Sequence, residues 1–119
     1  MEEVKVNQYG TNSKIKARIL DDETMRKIGF TDYVKDEWYF MKMLDSEISF
    51  NVSIKKNDPD NVRIDILDEN FGQPYDYQMI LEDNPNFEFA LKIKDEVERW
   101  MSYLQEQGVL SGHVYGEYI

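Results

Sequence analysis

The stretch Asn84-Pro85-Asn86-Phe87-Glu88-Phe89-Ala90-Leu91-Lys92-Ile93-Lys94-Asp95-Glu96-Val97-Glu98-Arg99-Trp100-Met101-Ser102-Tyr103-Leu104-Gln105-Glu106-Gln107-Gly108 decides the architecture. Asn84 followed by Pro85 is a preferred helix start, because the side chain caps free N–H groups and proline needs none at the first helical position. The helix is expected to run from Pro85 to Gln107 and to stop at Gly108. At 100° per residue, Phe87, Ala90, Ile93, Val97, Trp100, Met101 and Leu104 share one arc, while Glu88, Lys92, Asp95 and Arg99 lie opposite. Glu88 to Lys92 and Asp95 to Arg99 are acid-before-base pairs at i,i+4, each adding about 0.2 to 0.5 kcal/mol. A rod of this length spans on the order of 33 Å, enough to lie across several strands about 4.8 Å apart. It needs a sheet to cover.

Strands lie upstream of it. Lys14 to Leu20 alternates, with Ile15, Ala17 and Ile19 on one face and Lys14, Lys16 and Arg18 on the other. Asp21-Asp22-Glu23 then caps a short helix that Gly29 stops. Trp38 to Leu44 is apolar on both parities, as a strand central in a sheet would be. Ile48 to Lys55 alternates cleanly, Asn57-Asp58-Pro59-Asp60-Asn61 reads as a turn, and Val62, Ile64 and Ile66 mark the returning strand. After the turn-rich Asp68 to Pro74, Tyr75 to Leu81 reads as a last strand. The expected fold class is α+β: a two-layer domain with a mainly antiparallel sheet of about five strands. The long C-terminal helix packs on one face, and the short helix follows the first strand. Residues 1–119 form one domain, with an N-terminal arm over 1–12 and a C-terminal tail over 109–119.

Composition bounds the function. The 119 residues are 41% apolar and 13% aromatic, enough to build a core against 32% charged residues. The absence of cysteine excludes disulfides, thiolate nucleophiles and cysteine metal sites. No basic-then-apolar leader is read at Met1-Glu2-Glu3-Val4-Lys5, and no apolar run reaches the roughly 20 residues a bilayer span needs, so a cytoplasmic location without membrane attachment is expected. The net charge is −10. Residues 57–119 carry 14 acidic and 4 basic side chains, against 10 of each in residues 1–56. That imbalance disfavours direct contact with nucleic-acid phosphates and suits a basic protein partner.

Catalytic motifs are missing. There is no Gly-x-Ser-x-Gly elbow, no phosphate-cradling glycine loop and no EF-hand spacing, so no catalytic residue, metal or cofactor is assigned. The first expectation is a non-enzymatic protein-interaction module of the inhibitor or immunity kind, binding a basic protein through Asp58, Asp60, Asp68 and Glu69. The second is a small-molecule-binding protein or minor enzyme whose pocket lies between the sheet end and the helix, lined by Tyr75, Asp76, Tyr77 and the single histidine, His113. A third is a homo-oligomer joined through a strand edge or the C-terminal tail. The polar sheet face, with Tyr39, Met41, Met43 and Ile80 as an apolar strip in it, is a further candidate surface.

Overall fold

A computed structural model of the chain describes residues 4–119. The charged start Met1-Glu2-Glu3, which belongs to the expected arm and leader reading, lies outside the described residues. The order is β1 (Lys16–Ala17), α1 (Asp22–Ile28), β2 (Glu37–Met43), β3 (Ile48–Lys55), β4 (Asp58–Asp68), β5 (Gln73–Pro74), α2 (Tyr77–Asp83), α3 (Glu88–Glu106) and β6 (Leu110–Ser111). Strands β2-β3-β4-β5 form a four-stranded antiparallel sheet, and β1 pairs with β6 in a separate two-stranded one. The class is α+β, with a long C-terminal helix and a short helix after the first strand. No described helix is long and apolar enough to cross a membrane.

The core lies between the sheet and the helices. Trp38 and Phe40 of β2, Ile48, Phe50, Val52 and Ile54 of β3, and Val62, Ile64 and Ile66 of β4 are buried on one face. Ala90, Ile93, Val97, Met101 and Leu104 of α3 are buried with them. Phe40 links the layers: its ring lies 5.9 Å from that of Trp100, 6.4 Å from Tyr103 and 5.1 Å from Phe30. Each such side chain, buried fully, contributes about 1.5 to 3 kcal/mol of transfer free energy. Tyr103 also donates to the Ile28 carbonyl at 2.8 Å, tying α3 to the end of α1.

Helix α1 has the expected ends. Asp21 accepts from the Thr24 N–H at 3.1 Å, and Gly29 at φ 126° closes the helix. Other elements differ from the sequence reading. Strand β2 is an edge strand, with Trp38 and Phe40 inward and Tyr39, Met41 and Met43 half-exposed on the open face. The turn expected at 57–61 tightens to Lys56-Asn57, because Lys55 pairs with Asp58, and Asp58 to Asn61 join β4. The outer edge of β4 is met by polar side chains of the arm: Asn7 Nδ2 donates to the Val62 carbonyl at 2.8 Å, and Thr11 Oγ1 accepts from the Ile64 N–H at 3.2 Å. These contacts satisfy groups that would otherwise invite another strand.

The strand expected over Tyr75 to Leu81 is a helix. Only Gln73 and Pro74 continue the ladder, after which Asp76 caps α2 by accepting from the Met79 N–H at 3.0 Å. Tyr77, Ile80 and Leu81 are spaced i, i+3, i+4 and share the inward side of the helix, whereas alternation would have turned Met79 inward and Ile80 to the open sheet face; Met79 is instead exposed. Asn84 in consequence ends α2 rather than starting α3, its N–H donating to the Ile80 carbonyl at 2.9 Å. Helix α3 begins later than expected, at Glu88, with Phe87 as a cap that makes no side-chain bond.

The C-terminal segment is not a free tail. Val109, Leu110 and Ile119 are buried, and β6 pairs with β1. The Arg18 N–H donates to the Val109 carbonyl at 2.8 Å, and the Asn12 N–H to the Ile119 carbonyl at 3.1 Å. Gly112 makes this approach possible. It has φ +89°, and a Cβ there would lie 2.0 Å from the Lys14 carbonyl oxygen.

Candidate functional site

Helix α3 turns one acidic residue inward. Glu98 lies on the flank of the apolar arc, between Lys94 and Met101 in the i−4, i+3 row, and the C-terminal segment folds over it. Once past Gly112, the chain is anchored by the His113 N–H, which donates to Gln105 Oε1 at 3.0 Å. The His113 ring is then directed at Glu98, with Nε2 and Oε2 2.7 Å apart and the two side chains only 3% and 7% exposed. A carboxylate only accepts, so Nε2 carries the proton in this bond. The second Glu98 oxygen accepts from the Gly116 N–H at 3.1 Å. Nδ1 of His113 is buried with no partner.

Helix α2 forms the facing wall. Tyr77 is 2% exposed, and its hydroxyl is buried without a hydrogen-bond partner. Burial above all, then the negative charges of Glu98 and Asp76, pushes its ionisation well above the ordinary tyrosine range, so the phenol stays neutral. Gln78 reaches across to the C-terminal segment, its Nε2 donating to the Glu117 carbonyl at 3.1 Å. Between these walls lies a cavity of about 290 Å³, lined by Tyr77, Gln78, Leu81 and Glu82 of α2, Lys94 and Glu98 of α3, and Gly116 and Tyr118 of the last segment. A second, smaller depression of about 190 Å³ borders it, and Tyr77, Gln78 and Tyr118 are shared by both.

The expected pocket residues are therefore divided. Tyr75, Asp76 and Tyr77 line the smaller depression, whereas Tyr77 also lines the larger one. Asp76 is occupied as the α2 cap. The hydroxyl of Tyr75 is buried and unpartnered, and its ring stands edge-on to Phe89 at 5.6 Å. His113 lines neither cavity directly and acts through Glu98. Glu98 escaped the sequence reading, because a single Glu at the border of an amphipathic arc looks like an ordinary solvated position. The one signal was its place within a turn of both Val97 and Met101.

The acidic quartet is split as well. Asp58 and Asp60 lie at one end of β4, and Asp68 and Glu69 at or just past the other. Ten residues of strand between Asp58 and Asp68 correspond to roughly 33 Å. Asp58 accepts from Asn61 at 2.8 Å, Asp68 from the Asn70 N–H at 3.0 Å, and Glu69 from the Ser49 hydroxyl. Glu69 thereby joins the open sheet face, where Asn51 donates to Ser49 at 2.9 Å and Tyr39 donates to Asn51. Burial, then the charges of Glu69 and Asp65, raises the ionisation of Tyr39. Comparison with protein-family models, with curated proteins and with solved structures gives no significant match to this chain.

Proposed function

We propose that the chain is a small-molecule-binding protein, with the cavity between α2, α3 and the C-terminal segment as its binding site. One observation carries this reading: the buried Glu98 and Tyr77, whose buried hydroxyl has no hydrogen-bond partner, line the same cavity. Glu98 is held by His113 and the Gly116 N–H, whereas a buried group left unpaired, as the Tyr77 hydroxyl is, is unfavourable by about 1 to 3 kcal/mol, and such groups gather where a ligand completes them. The test is a fragment titration of the full-length chain followed by backbone and side-chain NMR shifts. Binders are expected to perturb Tyr77 to Glu82, Lys94, Glu98 and residues 116–118 together. Hits that map elsewhere, or none at all, refute the reading.

A docking role on the open sheet face is the second reading, supported by the half-exposed Tyr39, Met41 and Met43 beside the ordered Asn51–Ser49–Glu69 network. Tyrosine and methionine are favoured at interfaces, and methionine adapts to the shape it meets. With the acidic residues at both ends of β4 rather than in one patch, affinity for a basic protein partner would come from apolar contact more than from charge. Binding to such a partner should fall when Met41 and Met43 become Ser and should change little when Asp58 and Asp60 become Asn. The reverse result would return the weight to charge.

A further inference from the structure

Acidic side chains outnumber basic ones by 24 to 14 in this chain, yet three cations border one groove with a single carboxylate. The groove, of about 660 Å³, lies where the end of α1, strand β2 and the later turns of α3 converge. Lys27 comes from α1, Lys42 from β2 and Arg99 from α3, and the carboxylate is Glu106. No lining residue is shared with the cavity at Glu98, so the inference stands apart from the reading above. Its volume falls in the range of roughly 300 to 1,000 Å³ that ligand pockets occupy.

Lys42 is the centre of the argument. It has the parity of Trp38, Phe40 and Leu44, all buried, and so leaves the inner face of β2 at the border of the core. Its Nζ lies 5.6 Å from the centroid of the Phe40 ring and 5.3 Å from that of Trp100. Ring faces attract and orient a cation, but they neither neutralise it nor use its N–H donors. Among the described residues no carboxylate lies within ion-pair distance of Lys42, and its ammonium keeps solvent access. A half-buried charge of this kind is held in place without a counter-ion.

The other two cations are weakly engaged. Lys27 meets Glu23 at 3.2 Å with both side chains more than 70% exposed, and Arg99 meets Glu96 through one nitrogen at 3.5 Å. Exposed pairs of this sort contribute little and give way to a better partner. Arg99 also stands against the Trp100 ring, 5.7 Å from its centroid. The walls between the charges are apolar: Ile28, Trp100 and the Tyr103 ring, whose hydroxyl is already donated to the Ile28 carbonyl. Glu106 is exposed and opposes an anion, one charge against three.

We propose that this groove binds a small organic anion of the phosphate-monoester class, its head on Lys42 and Arg99 and its apolar body along Ile28 and Trp100. Lysine and arginine donate charge-assisted hydrogen bonds to phosphate oxygens, and a doubly charged head answers more than one cation at once. A cationic ligand would meet Lys42 and Arg99 head-on, and a neutral alcohol would leave Lys42 without a counter-ion.

The experiment titrates the full chain with phenylphosphate, benzoate, inorganic phosphate, benzyl alcohol and benzylammonium, read by NMR shifts of the Gly29, Lys42 and Ser102 amides. At about pH 7.5 a phosphate monoester carries close to two charges, and about 0.15 M salt screens the overall negative charge of the chain beyond about 8 Å. Phenylphosphate is expected to bind at least about tenfold more tightly than benzyl alcohol, and more tightly than benzoate or inorganic phosphate, with benzylammonium not binding. Lys42→Met should weaken phenylphosphate about tenfold, whereas Lys16→Met, the same charge change on exposed β1 outside the groove, should leave it unchanged. Glu106→Gln should tighten it several-fold by removing the opposing charge. Circular dichroism confirms that the Lys42 variant is folded; if it is not, Arg99→Gln, at a largely exposed side chain, replaces it and should weaken phenylphosphate several-fold. Benzyl alcohol or benzylammonium binding as tightly as phenylphosphate overturns the anion assignment, and benzoate doing so overturns the phosphate class. Inorganic phosphate doing so overturns the role of the apolar wall. Equal loss in Lys16→Met and Lys42→Met reduces the effect to net charge and overturns the site, as does the absence of binding by all five, while either result leaves the cavity at Glu98 untouched.

Discussion

Gly112→Ala tests the contact on which the whole site depends. The residue has φ +89°, a region that costs an L-side chain about 1 to 2 kcal/mol, and a Cβ would lie 2.0 Å from the Lys14 carbonyl oxygen and 2.8 Å from its carbon. Ordinary contact needs more than an ångström of additional separation, and the obstacle is backbone rather than a flexible side chain. Overpacking of this kind adds about 1 to 3 kcal/mol. Gly108→Ala is the matched control, since its φ is +81° and nothing lies within 4 Å of a Cβ there. The difference between the two variants isolates the steric part. For a chain of this length, unfolding entropy of about 2.1 cal/mol/K per residue makes each kcal/mol worth roughly 4 °C in Tm. Gly112→Ala should thus melt about 4 to 12 °C below Gly108→Ala in calorimetry, still folded given a total stability of about 6 to 18 kcal/mol. Hydrogen exchange should quicken at the Asn12, Arg18 and His113 amides, whose acceptors are Ile119, Val109 and Gln105. Melting within about 2 °C of the control would mean that the last segment does not lie against Lys14, and the Glu98–His113 arrangement would lose its foundation.

Four further outcomes follow from the same geometry. Glu98→Leu and His113→Leu should each destabilise by about 3 to 5 kcal/mol, because each leaves a buried partner unpaired, while the double variant should cost less than their sum; additivity in urea denaturation would show that the pair is not coupled. Burial holds the ionisation of Tyr77 well above the ordinary tyrosine range, so the folded chain keeps this proton longer than the unfolded one and its contribution to stability is lost as pH rises above about 10. Tyr77→Phe should flatten that alkaline loss in urea denaturation followed across about pH 9 to 11, and an unchanged profile would refute the assignment. Asp21 has the opposite sign: its bonds to the Thr24 hydroxyl and N–H lower its ionisation, so its support for α1 is present above about pH 4 and fades as acid takes the folded-state carboxylate, a dependence that Asp21→Ala should remove from the pH profile of stability. Asn7→Ala combined with Thr11→Val should free the Val62 carbonyl and Ile64 N–H on the β4 edge and promote association through it, seen as a larger species by light scattering; an unchanged mass would reject the edge-protection role.

Much of the architecture was legible because period and burial agree. Ile48, Phe50, Val52 and Ile54 have only one side to face, and Ala90, Ile93, Val97 and Met101 only one stripe, so both elements were fixed by patterns longer than two turns or four pleats. Where the window was short, pattern was not enough. Tyr75 to Leu81 fits an alternating strand and a two-turn helix almost equally, and the cap made by Asp76 decides between them. The long helix was legible in extent but not in its first turn, because Asn84 serves the end of α2 and the intervening turn takes Pro85 and Asn86.

The candidate site was hidden for a different reason. Tyr77 and His113 stood out by residue type, yet what joins them is Glu98, a residue whose role exists only after residues 112–116 have been brought back over α3. That return depends on a two-pair ladder between β1 and β6, too short to leave a periodic trace, and on a glycine whose importance is the carbonyl of a residue almost a hundred positions earlier. Deleting residues 109–119, which on sequence grounds would test for tail-mediated assembly, in fact removes Val109, Leu110 and Ile119 from the core and both donors from Glu98. Such a truncation should lower stability before it changes any association. A smaller change, Glu117→Gln, releases only the exposed pair with Lys14 at 2.8 Å, worth at most about 1 kcal/mol, and leaves the fold in place. The two together separate what the segment does for the core from what it does at the surface.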